Sequence, residues 1–289
     1  MPAPQSPWRA GCGTVTAGHG GGGTIRDRIV AAGAGRISFL EAGSGPALVF
    51  LHALGGGAPA WDVQLAAFAA THRAISWDMP GYGRSDVPRE PAPTAARYAV
   101  ALGHFLDALG IACATVVGHS VGGLVAASFA RQQPRRVRRL VLVSPEPGYG
   151  RLTAAQQRIR VRQRLAILRQ YGPAGLAQRR VGSLLSPAAP ALVRHKLIQV
   201  MSAVRPEGYR RVIAMMTQAD ILADLPPAMP TMLAWGTRDR VSPPDVCGRV
   251  AAAIPGCRVH TIAGVGHACY EEDPDGFNAA LRRFLEEDT

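Results

Sequence analysis

Short apolar runs alternate with segments of helical periodicity from residue 25 to about residue 145. Several of these runs are apolar at every position, which is typical of strands that other elements cover on both faces. The runs predicted as strands are RISFLEAG, ALVFLHA, RAISWDM, ATVVGHS and RRLVLVS, and the helices predicted between them are residues 61–70, 95–109 and 120–132. The alternation predicts an α/β fold, with a parallel central sheet and crossover helices.

The pattern changes after residue 147, where strand-like runs give way to helical stretches broken at Pro173, Pro187 and Pro206. The strand pattern resumes with TMLAWG and RVHTIAG, and the helices predicted in this last part are residues 244–254 and 275–287. A helical insertion in an α/β core is expected to cover the strand ends, where ligands bind in such sheets.

The chain is therefore predicted to contain one α/β core, built from residues 25–147 and 226–289. Residues 148–225 are predicted to form a helical lid, or cap, over this core. Residues 1–24 are rich in Gly, Ala and Pro and lack periodicity, and we expect them to form a flexible tail.

The composition is that of an ordinary globular protein, with 47% hydrophobic and 18% charged residues among 289. No apolar run approaches the roughly 18 residues that a membrane span needs. The first residues lack the apolar segment of a secretory signal, and the 5 cysteines include no Cys-x-x-Cys pair. These features predict a cytoplasmic protein with reduced thiols and no membrane partner.

The net charge of +12 raises the question of nucleic-acid binding. A net charge equal to the whole excess lies between Arg151 and Arg211, where Glu207 is the one acidic residue. Nucleic-acid surfaces interleave aromatic side chains with basic ones, and the aromatic residues of this segment are Tyr171 and Tyr209 alone. We predict no nucleic-acid partner and assign the charge to the lid.

The string VVGHSVGGLVAASFA carries the strongest chemical signal, because a strand runs directly into Gly-His-Ser-Val-Gly and a helical pattern follows. A serine on such a strand-to-helix turn is strained, and side chains two positions away on either side would collide. Gly118 and Gly122 meet this requirement. The spacing predicts that Ser120 is a nucleophile exposed above the sheet.

A serine nucleophile needs a base and an orienting carboxylate. His267 lies in a Gly-rich loop after the last predicted strand, and Asp239 follows the strand before it. The order Ser, Asp, His, each at a carboxyl end of a strand, predicts the triad Ser120, Asp239 and His267. Asp245 opens a predicted helix and is a capping residue in this interpretation, although it is the first alternative for the acid.

A tetrahedral oxyanion needs two preorganised donors. We predict the backbone N–H groups of Val121, at the start of the helix, and of Leu54, in the Gly-rich loop after ALVFLHA.

At this point residues 25–289 resemble the α/β-hydrolase family, in its lidded bacterial branch of esterases, lactonases and carbon–carbon bond hydrolases. The motifs that carry the resemblance are LHALGG, SWDMPGYGRSD, GHSVGG, GTRDRVSP and GVGHACYEE. The resemblance implies the α/β-hydrolase fold, with a mostly parallel sheet and a helical lid inserted after the sixth strand. One departure is Ala53, where the family usually has glycine after the histidine.

The triad and the resemblance together predict hydrolysis of a carboxylic ester, thioester or lactone of a small organic substrate. The first alternative is a carbon–carbon bond hydrolase of a ring-cleavage product, although that branch usually carries asparagine and tryptophan where this chain has His119 and Ala268. The alternative of another class is a non-catalytic binding or signalling protein. No metal and no organic cofactor are implied.

Three residues are predicted to bind substrate. Arg158 and Arg162 share one face of the first lid helix at helical spacing. Such a face can hold the carboxylate of an acidic substrate, because arginine donates two parallel hydrogen bonds. Trp61, at the start of the first predicted helix, is assigned to substrate binding with them. The sequence sets neither the acyl chain nor the oligomeric state.

Overall fold

The computed structural model describes residues 24–287. The tail predicted for residues 1–24 therefore falls outside the described residues, except for Thr24. Within them, one sheet holds eight strands in the order β1-β2-β4-β3-β5-β6-β7-β8. The strands are β1 Arg26–Ala32, β2 Gly35–Ala42, β3 Ala47–Leu51, β4 Arg73–Trp77, β5 Ala114–His119, β6 Val137–Val143, β7 Thr231–Gly236 and β8 Arg258–Ile262.

The sheet is mostly parallel, as predicted. β1 and β2 are antiparallel to each other, and β2 is antiparallel to β4, whereas every pairing from β4 to β8 is parallel. This confirms the predicted fold class. The predicted strands omit β1, whose burial pattern is mostly exposed because it forms the edge of the sheet.

The described helices are α1 Asp62–Phe68, α2 Ala95–Ala108, α3 Val121–Gln132, α4 Ala154–Leu184, α5 Ala191–Ser202, α6 Pro206–Gln218, α7 Pro244–Ala252, α8 Cys269–Glu272 and α9 Pro274–Glu286. None of the helices within residues 24–287 is long and apolar enough to cross a membrane.

Successive side chains of each central strand enter two different apolar layers, as the period of a strand requires. In β3, Val49 packs into the layer that contains Phe105 of α2. Its neighbour Phe50 packs on the opposite face, with Phe68 of α1 and Phe277 of α9. The continuously apolar runs are explained by this arrangement, because helices cover the sheet on both faces.

Helices α4, α5 and α6 follow one another between β6 and β7, and we call residues 154–218 the helical insert. Lys196 of α5, the single lysine of the chain, ties the insert to the core. Its ammonium group bonds to Asp62 of α1 and lies 2.9 Å from the Glu271 carboxylate of α8. The insert thus packs on the core through a partly buried charge network as well as apolar contacts.

Candidate active site

Ser120 occupies the sharp turn between β5 and α3. Its φ is +53° and its ψ is −115°, a conformation that non-glycine residues rarely adopt. The turn needs glycine on either side: a Cβ at Gly118 would lie 2.5 Å from the Gly122 carbonyl oxygen, and a Cβ at Gly122 would lie 2.4 Å from that of Leu51. The spacing in the sequence therefore has a steric cause.

We expect Gly122→Ala to lower the free energy of unfolding by about 3 kcal/mol or more, because the new methyl group meets the backbone of a central strand and not a movable side chain. Gly248→Ala is the matched control, since a Cβ there meets nothing within 4 Å and lies in helix α7. The control should raise stability by up to about 1 kcal/mol. Urea unfolding of both variants checks this, and equal stabilities would contradict it.

Asp239 and His267 meet at the carboxyl ends of β7 and β8. The Nδ1–H of His267 donates to Asp239 Oδ2 at 2.8 Å, and both side chains are buried. The other oxygen, Oδ1, accepts from the backbone N–H groups of Val241 and Ser242 at 2.8 and 2.9 Å. Burial raises the pKa of Asp239, but these donors and the charge of His267 outweigh it, so the pKa lies below its ordinary value.

The geometry leaves Nε2 of His267 as the ring nitrogen available for proton transfer, because Nδ1 is engaged by the carboxylate. Ser120 and His267 line one pocket. Asp245, the alternative acid, is exposed at the start of α7 and pairs with Arg249 at 2.8 Å. Of the two candidate carboxylates, Asp239 is the one that contacts the histidine.

His119 has a role that the sequence did not indicate. Its Nε2–H donates to the backbone carbonyl of His267 at 3.0 Å, and its ring lies 4.7 Å from the His267 ring. Burial lowers the pKa of His119 well below its ordinary value, and His267 lowers it further, so the imidazole is neutral. His119 therefore fixes the position of the loop that carries His267.

A second neutral histidine holds the loop after β3. His52 Nδ1–H donates to the Ala53 carbonyl at 2.9 Å, and its Nε2 accepts from the Met79 N–H at 3.0 Å. Burial lowers the pKa of His52 to about 4. The positive φ of this loop falls at Gly55, so Ala53 fits without strain where the family usually has glycine.

Leu54 in this loop and Val121 at the start of α3 both line the pocket. Val121 is the first residue of its helix, where backbone N–H groups lack intrahelical partners. Neither N–H donates to another protein group within residues 24–287. The two groups are thus free to meet a charge that develops on a bound substrate.

The pocket lies between the core and the helical insert. Its apolar lining includes Leu197, Met201 and Met216 from the insert. Four charged residues that the sequence analysis did not single out line it: Glu146, Arg164, Arg180 and Glu271. Burial raises the pKa of Glu146, which follows β6, although Arg164 lies 3.8 Å away and favours the ionised form.

The structure places Arg158 and Arg162 away from the pocket that Ser120 lines. Both are exposed, and together with Arg169 they line a separate groove between α4 and α6. The helix turns a different face inward, because Leu168 is buried and Arg164 lies on the same side one turn before it. The arginines at the pocket are therefore Arg164 and Arg180.

Trp61, also predicted to bind substrate, lies in the core. It is fully buried and does not line the pocket. Its ring stacks on Tyr270 at 3.8 Å between centroids and contacts Phe50 at 4.9 Å. Trp61 is a core residue beneath the site, because its ring is fully buried against Tyr270 and Phe50.

Trp61→Phe is expected to lower the free energy of unfolding by about 1–3 kcal/mol, because the smaller ring leaves a cavity under Tyr270. Val63→Ala, at a partly exposed position of the same helix α1, should change stability by less than about 0.5 kcal/mol. Chemical unfolding and KM for an ester are measured on both. A raised KM with unchanged stability would restore a direct role in substrate binding.

Among residues 24–287 no group of three or more His, Cys, Asp or Glu residues is arranged to hold a metal ion.

Comparisons with known proteins agree on one family. A family profile described as "Alpha/beta hydrolase family" matches residues 48–280. The chain is 32% identical over 277 residues to an uncharacterised protein of Mycobacterium tuberculosis, covering 87% of this chain and 78% of the relative. It is 29% identical over 264 residues to a 2-hydroxy-6-oxo-6-phenylhexa-2,4-dienoate hydrolase of Burkholderia cepacia, covering 86% and 91%.

Among solved structures, a thermophilic esterase of Thermogutta terrifontis superposes with a TM-score of 0.81. The identity is 24%, and the match covers 90% of this chain and 98% of the esterase. At this identity the likeness concerns the fold.

Proposed function

The chain belongs to the α/β-hydrolase family, and from this premise we propose that it is a serine hydrolase that cleaves a carboxylic ester, thioester or lactone of a small organic substrate. The observation that carries the proposal is the His267–Asp239 hydrogen bond of 2.8 Å at a pocket that the strained Ser120 also lines. Strain at a nucleophile and a paired histidine are what acyl transfer requires.

In the proposed mechanism, His267 Nε2 takes the proton of the Ser120 hydroxyl as the oxygen attacks the substrate carbonyl. Asp239 holds the imidazole with its proton on Nδ1 and stabilises the imidazolium that forms. His267 then gives the proton to the leaving group, and an acyl-enzyme remains on Ser120. Water, activated by the same histidine, releases the acid and restores the serine.

The N–H groups of Leu54 and Val121 are the proposed donors to the oxyanion. Support comes from the position of both groups at the pocket. The hydrogen bonds of His52 to the Ala53 carbonyl and the Met79 N–H also hold the loop that carries Leu54. The α3 N-terminus adds a favourable field for negative charge next to Ser120.

The helical insert is proposed to act as the lid of this pocket, because its residues supply much of the lining. The proposed partner is a small-molecule substrate, without nucleic acid or membrane, and the proposed location is the cytoplasm. No cofactor takes part in the proposed mechanism.

A second candidate is hydrolysis of a carbon–carbon bond with the same triad. The likeness to the Burkholderia cepacia hydrolase favours it. Two residues weigh against it: His119, directly before the nucleophile, and Ala268, directly after the base. The carbon–carbon bond hydrolases usually carry asparagine and tryptophan at these two positions.

A hydrolysis panel tests the proposal and separates the candidates. The purified protein is offered short and long acyl esters, an acyl thioester, lactones and a vinylogous diketone, and the acid released is measured. We expect turnover of esters, thioesters or lactones. Turnover of the diketone alone would favour the second candidate, and no turnover of any compound would favour a binding protein.

A further inference from the structure

Two arginines of the helical insert line the pocket, but only one of them lies next to a carboxylate. Arg164 donates from Nε to the Tyr149 hydroxyl at 2.7 Å and lies 3.8 Å from the Glu146 carboxylate. Arg180 also lines the pocket, yet its guanidinium makes no hydrogen bond or ion pair with any group within residues 24–287. One of the two cations therefore lacks an anion.

The break in α4 brings these arginines together. Arg180 lies sixteen positions after Arg164, which in a straight helix would place the two about 24 Å apart. Gly172 instead has a φ of +62° and a ψ of −173°, and Pro173 follows it. The helix bends at this point, so that residues before and after the bend line one pocket.

The lining holds no further negative charge for Arg180. Besides Glu146, the carboxylate that lines the pocket among the described residues is that of Glu271, and it lies 2.9 Å from the Lys196 ammonium group. Burial lowers the pKa of Arg180, and the nearby positive charge of Arg164 lowers it further. A partly desolvated cation next to a like charge is unfavourable, and a bound anion would relieve both effects.

We propose that Arg180 binds a carboxylate of the substrate, located away from the carbonyl that Ser120 attacks. The substrates are then monoanionic esters, thioesters or lactones, with an apolar segment between the carboxylate and the reacting group. This inference rests on the proposed hydrolase function. It assigns to Arg180 the role that the sequence suggested for Arg158 and Arg162.

The chemistry of the pocket fits a carboxylate. Its uncompensated charge is a single positive one, which matches a monoanion better than a phosphate of charge near −2. A guanidinium presents parallel N–H groups that fit the two carboxylate oxygens. Leu197, Met201 and Met216 provide apolar surface for the intervening chain.

The test compares two series of 4-nitrophenyl monoesters made from the straight-chain diacids between succinic and suberic acid. One series keeps the second carboxyl group, and in the other a carboxamide replaces it. A charge-assisted pair is expected to give the best carboxylate ester about 10- to 100-fold higher kcat/KM than its carboxamide partner. Arg180→Gln should bring this ratio close to one, mainly through KM.

Arg158→Gln is the matched control, since Arg158 belongs to the same helix but lines the separate groove and not the pocket. It should keep the wild-type ratio. A ratio near one throughout the series for the wild type, or an equal loss of ratio in both variants, would overturn the proposal.

A binding measurement separates this proposal from the hydrolase function. Calorimetry on the Ser120→Ala protein compares the monoamides of the same diacid series with the corresponding neutral diamides. Binding of the monoamide anion that is lost in Ser120→Ala/Arg180→Gln supports the carboxylate site, even if no ester is hydrolysed. Hydrolysis by the wild type without such binding would leave the function standing and refute the site.

Discussion

Replacing Ser120 with alanine is expected to lower kcat for ester hydrolysis by about 10⁴-fold or more. The reason is chemical, because alanine has no oxygen to form the acyl-enzyme. The fold should be retained, since the change removes one atom from a residue whose backbone hydrogen bond to Val143 at 2.9 Å is unaffected. Steady-state kinetics and a thermal unfolding curve of the same sample check both parts.

Ser202→Ala is a suitable control for this variant, because Ser202 ends helix α5 and does not line the pocket. It should retain activity within about twofold of the wild type. Full activity of Ser120→Ala, in a preparation free of contaminating esterase, would refute the assigned nucleophile.

Asp239→Asn carries the second large effect, an expected loss on the order of 10⁴-fold in kcat. The amide oxygen can still accept from the Val241 and Ser242 N–H groups, so the loop should keep its conformation. The amide nitrogen then faces His267 Nδ1 and favours the tautomer with the proton on Nε2. An imidazole protonated there cannot accept the proton of Ser120.

Asp245→Asn is the matched control, since Asp245 is the next aspartate along the chain, in the first turn of α7, and its side chain is exposed. Its activity should stay within about twofold of the wild type. If Asp239→Asn were fully active and Asp245→Asn were not, the roles of the two would be reversed. If both were active, Glu146 would be the next acid to test, because it lines the same pocket and the charge of His267 lowers its pKa.

The fold, and the placement of Ser120, His267 and Asp239 at one pocket, could be predicted from the sequence because each depends on a local constraint. Gly118 and Gly122 exclude side chains that would strike the backbone, so the spacing around Ser120 has one structural solution. The order of Asp239 and His267 along the chain follows from the order of the strands that precede them. The apolar runs predicted the central strands because helices cover both faces of the sheet.

The charged residues of the pocket were not accessible in the same way. Arg158 and Arg162 share a helical face, but so do Arg160 and Arg164, and spacing alone does not decide which face of an arginine-rich helix packs inward. Tertiary contacts determine which face packs inward, namely the burial of Leu168 and the ion pair of Arg164 with Glu146. One signal was present: Glu146 is an acid three residues after the end of β6, ahead of a strongly basic segment.

The most direct test of the account is covalent labelling with an organophosphonate, followed by intact-mass measurement and peptide mapping. The wild type is predicted to gain one adduct per chain, on the peptide that contains Ser120, with loss of hydrolysis in proportion to labelling. Ser120→Ala is predicted to gain none. An adduct on another residue, or persistent hydrolysis by fully labelled protein, would contradict the assignment of Ser120 as the nucleophile.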